Sequence, residues 1–305
     1  MLCIPTVDFD VLRHMVYNQR GMTVLFSNSV LPKDCYYGGE PLGGTAMKPL
    51  LIDLDGTLYH GSHMIPEADH FILSLREKQF PYLFVTNNSS RTPEQVALHL
   101  SGMGIPADSQ DVCTSAMAAA RFIAEEHPGA RVYCIGEEGL QRAIMDAGLQ
   151  LVEENPDVVV QGIDRHFTYD KLAAAMRWIM DGARFVMTNP DLQLPASGGL
   201  TPGAGTLGAA IEAATQVKPL VIGKPSGILM NYALEHLGAN AADTLVVGDN
   251  IRTDIAAGAA AGCKTALVLT GVSTRTNMEA HIQVAAVRPD YVFNDLPELL
   301  AWLER

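Results

Sequence analysis

From Met47 onward, short apolar runs alternate with stretches of helical periodicity. Strands that are apolar on both faces need helices on both sides, which leaves an α/β fold built on a parallel sheet. The apolar runs fall at residues 50–52, 82–85, 132–135, 158–160, 185–187, 220–222, 244–247, 265–269 and 291–293. Helical spacing is read at residues 66–78, from Pro93, and at 116–126, 137–147, 169–180, 206–214 and 297–303. Thr92 reads as an N-cap, with Pro93 in the first turn and Gln95 closing a capping box.

The run Leu50-Leu51-Ile52-Asp53-Leu54-Asp55-Gly56-Thr57 carries two carboxylates at its end. Side chains two apart on a strand share a face, so the two anions repel unless one is protonated or a cation lies between them. A strand followed by an Asx-type turn explains the same residues without chemistry. What shifts the balance is that other runs also end in polar groups. Thr86-Asn87, Lys224 and Asp249-Asn250, with Asp254 one helical turn further on, are expected to emerge on the same edge of one sheet. Carboxylate oxygens without His or Cys suit Mg²⁺. A Lys, a Thr and the free N–H groups of a helix start suit a phosphoryl group.

Composition narrows the partners. The chain has 305 residues, 48% hydrophobic and 18% charged, with a formal net charge of −13. This is a globular composition, and the charge argues against a nucleic acid polymer or an anionic membrane as partner. Five cysteines without a CxxC pair point to neither a disulfide framework nor a zinc site, and favour a reducing compartment. Asp8 and Asp10 stand where a signal peptide would be apolar, and the apolar stretch at 255–269 is interrupted by Lys264. A soluble, cytoplasmic protein is therefore expected. The sequence leaves assembly as a homo-oligomer open.

Three segments are expected. Residues 1–46 contain one strand candidate (22–26) and no usable periodicity, and read as an N-terminal extension that is disordered or outside the fold. Residues 47–129 and 219–305 form a core domain, and residues 130–218 read as a separate inserted α/β module. His60 and His63 read as exposed loop residues, Trp178 and Met180 as core, and Cys263 as a small buried hydrophobe.

The set Asp53-Leu-Asp55-Gly-Thr57, Thr86-Asn87, Lys224 and Gly248-Asp249-Asn250-x-x-x-Asp254 resembles the four signature motifs of the haloacid dehalogenase superfamily of phosphohydrolases. The runs 86–93, 136–139, 223–225 and 248–254 are similar to its NagD-like, or p-nitrophenylphosphatase-like, subgroup, subfamily IIA. The resemblance implies a Rossmann-like core with helices on both faces and an inserted C2-type cap. It further implies a phosphatase acting on small phosphomonoesters such as nucleoside monophosphates, sugar phosphates and p-nitrophenyl phosphate. Asp53 would be the nucleophile, forming an aspartyl-phosphate, and Asp55 the general acid and base. Thr86, Asn87 and Lys224 would hold the phosphoryl oxygens. Mg²⁺ would be held by Asp53, the Asp55 carbonyl and Asp249, with Asp254 orienting them. Asn250, Ile251, Arg252 and Thr253 resemble a substrate-contacting turn, and Asp191 is a candidate for specificity from the cap. A phosphotransferase or mutase on the same scaffold, or a receiver-like phospho-Asp module, are the alternatives.

Overall fold

The computed structural model describes residues 48–196 and 199–305. The expected N-terminal extension and its strand candidate lie outside the described residues.

The first sheet has six parallel strands in the order Tyr291–Phe293, Lys264–Val268, Leu245–Gly248, Leu50–Ile52, Tyr82–Thr86, Val112–Thr114. Leu50–Ile52 is central and fully buried, as a strand apolar at every position requires. Its side chains alternate between faces. Leu50 and Ile52 pack with Phe71, Ile72 and Leu75 of the helix Ala68–Glu77 and with Leu299 of Leu296–Leu303. Leu51 packs on the other face with Ala119 of Ser115–Glu126 and with Leu229 and Ala233 of Ile228–Leu237. Truncating a buried Phe such as Phe71 to Ala in this setting costs about 3–5 kcal/mol.

The second sheet has five parallel strands: Leu220–Val221, Arg184–Met187, Val158–Gln161, Arg131–Ile135 and Gln150–Leu151. The expectation that residues 220–222 lie in the first sheet is corrected here. Leu220 and Val221 pair with Val186 and Met187, because the chain leaving the helix Ala204–Thr215 reaches the second sheet's edge first. Lys224 therefore arrives at the first sheet on a loop. The two sheets share apolar packing. Ser115–Glu126 packs on Glu138–Asp146, and one apolar cluster runs from Leu51 and Val246 through Leu140 and Ile144 to Val158 and Val186.

Trp178 packs against the cluster on the far face of the second sheet, but Met180 is 63% exposed. The buried residues of the helix Tyr169–Met180 are Ala175 and Ile179, and one further residue turns Met180 about 100° toward solvent. Cys263 is buried, while His60 and His63 are exposed on the short hairpin Tyr59–His60/His63–Met64. A second hairpin pairs Gln193–Ala196 with Gly199–Pro202. Among the described residues no helix is long and apolar enough to cross a membrane.

Candidate active site

The backbone of Asp53 extends the central strand's ladder by one bond, Asp53 N–H to Val247 O at 2.9 Å, which carries its carboxylate just past the strand end. Thr57 Oγ1 donates to Asp53 Oδ2 at 3.1 Å. The Lys224 ammonium, 3% exposed, donates to Asp53 Oδ1, to Asp254 Oδ1 at 2.7 Å and to Val85 O at 3.3 Å. All three of its N–H bonds are thereby used. Asn87 fixes the lysine's backbone reciprocally: its Oδ1 accepts from Lys224 N at 2.8 Å and its Nδ2 donates to Lys224 O at 3.0 Å.

Asp249 and Asp254 are each 1% exposed, and carboxylate oxygens of Asp53, Asp249 and Asp254 lie within 4.8 Å of one another. Burial, then the charge of Asp254, raises the Asp53 carboxyl well above the usual carboxylate range. The same two causes push Asp249 up to about 7. Burial alone would lower Lys224, but Asp254 and Asp53 beside it hold it above an ordinary lysine. Three buried carboxylates around one ammonium are short of positive charge, and an all-oxygen donor set fits a hard divalent cation such as Mg²⁺.

Asp249 is gripped by backbone. Its Oδ2 accepts from Val272 N, and its carbonyl accepts from Ser273 N at 2.9 Å. Two glycines make room for it. Gly56 has φ +89°, and a Cβ there would stand 2.5 Å from Asp249 Oδ2; at Gly271 the corresponding distance is 2.1 Å. Thr270 Oγ1 donates to Gly56 O at 2.7 Å, closing this segment onto the Asp53–Thr57 turn. Nothing in the sequence marks residues 270–273 as part of the site, because their contribution is main-chain N–H and missing side-chain volume.

The remaining candidates are placed as follows. Asp55 is exposed at its tip, its side chain lies outside the three-carboxylate group, and loss of solvation on the side facing the protein raises its carboxyl although the Tyr59 hydrogen bond lowers it. Thr86 is buried and accepts from Asn88 N at 3.1 Å. Asn250 caps a π-helical turn, Ile251–Ile255, by accepting from Arg252 N at 3.0 Å. Asp254 Oδ2 accepts from Asn250 N at 3.0 Å, so its two oxygens join that turn to Lys224. Ile251 is fully buried with its N–H on Ser273 Oγ; Arg252 is exposed and Thr253 half-buried. Asp191, between the second sheet and the hairpin at 193–202, accepts from Asn87 Nδ2 at 3.0 Å and Asn189 Nδ2 at 2.6 Å. It is thereby one side chain away from Lys224. Asn189, in the Asn-Pro turn that leads to Asp191, is a site neighbour, and so is Tyr59, which donates to Asp55 Oδ2 at 3.0 Å and which sequence spacing did not single out. His60 and His63 join no metal-binding group among the described residues.

A family model described as haloacid dehalogenase-like hydrolase matches residues 50–150, and one described as HAD-hydrolase-like matches residues 221–299. The 5'-nucleotidase YutF of Bacillus subtilis (strain 168) is 46% identical over 256 residues, spanning 84% of this chain and 98% of that protein. The acid sugar phosphatase of Staphylococcus aureus (strain USA300) is 45% identical over 259 residues, 85% of this chain and 98% of its own. Among solved structures, p-nitrophenyl phosphatase from Archaeoglobus fulgidus superposes with a TM-score of 0.79 at 38% identity, covering 84% of this chain and 98% of that one. The glycerol phosphate phosphatase of Mycobacterium tuberculosis, in complex with magnesium, gives 0.77 at 40% identity, covering 83% and 77%.

Proposed function

Because this chain belongs to the haloacid dehalogenase-like hydrolases, as a NagD-like phosphatase of subfamily IIA that cleaves phosphate monoesters, we propose that it is Mg²⁺-dependent and works through an aspartyl-phosphate on Asp53. Its substrates are small phosphomonoesters: nucleoside monophosphates, sugar phosphates and p-nitrophenyl phosphate. The relatives named 5'-nucleotidase, acid sugar phosphatase and p-nitrophenyl phosphatase support that range. The observation that carries the reading is the convergence of Asp53, Lys224, Asp249 and Asp254 at the end of the central strand.

In this reading residues 47–129 and 219–305 are the catalytic core, although Leu220–Val221 pairs with the second sheet, and residues 130–218 are the cap. Asp53, Asp249 and the Asp55 carbonyl hold Mg²⁺, and Asp254 orients them through Lys224 and the Asn250 turn. When bound, the cation neutralises charge between carboxylate and phosphoryl group. An Asp53 oxygen forms a bond to phosphorus, the ester P–O bond breaks, and Asp55 gives its proton to the departing oxygen. Asp55, now a carboxylate, takes a proton from water as that water attacks phosphorus. The bond to Asp53 breaks and inorganic phosphate leaves. The Thr86 hydroxyl and the Asn87 backbone hold the phosphoryl oxygens, Lys224 sets its positive charge beside them from its place on Asp53, and the 250–253 turn lies beside the substrate.

A screen of phosphate esters with purified protein, with and without Mg²⁺, tests this. Turnover should stop in excess chelator and return with Mg²⁺. Asp53→Asn should be folded and lose more than the roughly 100- to 1,000-fold typical of a single electrostatic donor. Full activity in chelator, or in Asp53→Asn, contradicts the proposal.

A further inference from the structure

Asp55 is the one carboxylate of the site with a phenol attached to it. The Tyr59 hydroxyl donates to Asp55 Oδ2 at 3.0 Å, and the backbone closes the same turn through Gly56 N–H to Tyr59 O at 2.8 Å. Tyr59 is 5% exposed whereas Asp55 is open to solvent, so the hydroxyl reaches the carboxyl from the protein side. No described residue bonds the other oxygen, Oδ1. The Tyr59 ring is itself clasped. His99 meets it edge to face, with centroids 5.2 Å apart and planes at 87°. His99 sits on Pro93–Gly102, whose first turn is fixed by the Thr92–Gln95 capping box.

We propose that Tyr59 is a positioning residue for the acid–base step: by occupying Asp55 Oδ2 it fixes the carboxyl rotor, so that the proton given to the ester oxygen is carried on Oδ1. The inference rests on the reading of Asp55 as general acid. As the Asp53–phosphorus bond forms and the bond from phosphorus to the ester oxygen breaks, the proton on Oδ1 passes to that oxygen. Without the hydroxyl the carboxyl turns about its χ2, where rotation is soft, and presents the proton in the productive direction for only part of the time. An alkoxide needs that proton to leave; p-nitrophenolate, a stable anion, needs it far less.

The test compares Tyr59→Phe with the unaltered protein on glycerol phosphate and on p-nitrophenyl phosphate. Phe keeps the buried ring and its contact with His99, so the fold is retained. The expected result is a fall in kcat/KM for glycerol phosphate that exceeds the fall for the aryl ester by about tenfold, carried by kcat more than KM. Asp55→Asn, measured alongside, should show the same leaving-group dependence more strongly. An equal fall on both esters, or none on either, overturns the role of Tyr59 while leaving Asp55's intact, provided Asp55→Asn is leaving-group dependent. If Asp55→Asn is not, the acid–base reading fails and this inference fails with it.

Discussion

Each N–H bond of the Lys224 ammonium ends on a different segment of the chain: Asp53, Asp254 and the carbonyl of Val85. Such a residue is legible in sequence because its chemical type is costly to bury unpaired and so announces a partner. The same is true of Asp53, Asp249 and Asp254. The contribution of residues 270–273 is silent by contrast, since any residue offers a backbone N–H and glycine's role is the volume it leaves free. It is nonetheless testable. Gly271→Ala would drive a Cβ into Asp249 Oδ2. We expect Mg²⁺ affinity, read by titration calorimetry, to fall about 10- to 100-fold, the range typical when support around a metal ligand is lost. Unchanged affinity would mean that Asp249 does not hold the ion. Ile251 shows the opposite limit: it falls inside a recognisable motif, yet its side chain is buried.

Elements join at edges, and one edge is tied by a carboxylate. Asp290, just before the strand Tyr291–Phe293, accepts from Thr265 N at 2.9 Å, Thr265 Oγ1 at 3.0 Å and Lys264 Nζ at 2.7 Å. Burial would raise it, but these hydrogen bonds and the lysine charge hold it below its ordinary value. A carboxylate depressed in the folded state stabilises above its unfolded pKa and loses that contribution as pH falls through the folded one. Asp290→Asn should therefore lower the thermal midpoint at pH 7 by about 2 °C, from roughly 1 kcal/mol for a half-exposed pair. The gap should close below about pH 4; a gap that stays constant in acid contradicts the assignment. Most elements were legible because their apolar periodicity exceeds the noise of turns, and the Thr92–Gln95 box marked one helix start correctly. Val112–Thr114 was not, being three residues flush against a helix; Leu220–Val221 was legible as a strand, but not its sheet, which is decided by proximity. The hairpin at 193–202 hid behind Gly and Pro, which read as loop.

At the scale of the molecule, a chain of net charge −13 must receive an anionic ester, so positive charge has to be concentrated where the two sheets' loops meet. Asp191 reaches from the second sheet's side to Asn87, beside Lys224. Replacing it with Ala should alter the relative kcat/KM among phosphate esters while the Mg²⁺ requirement persists; an equal fall on every ester would make it purely structural. The parallel α/β plan was legible in the alternation of the chain. The continuity of one apolar cluster across both sheets was not, because periodicity within a helix does not say which helix it meets. The account depends above all on a covalent bond between Asp53 and phosphorus. Acid-quenching a single turnover of a radiolabelled phosphate ester and mapping the labelled peptide measures that bond directly. Label on Asp53, absent from Asp53→Asn, is the predicted result; turnover with no labelled protein, or with label on another residue, would contradict it.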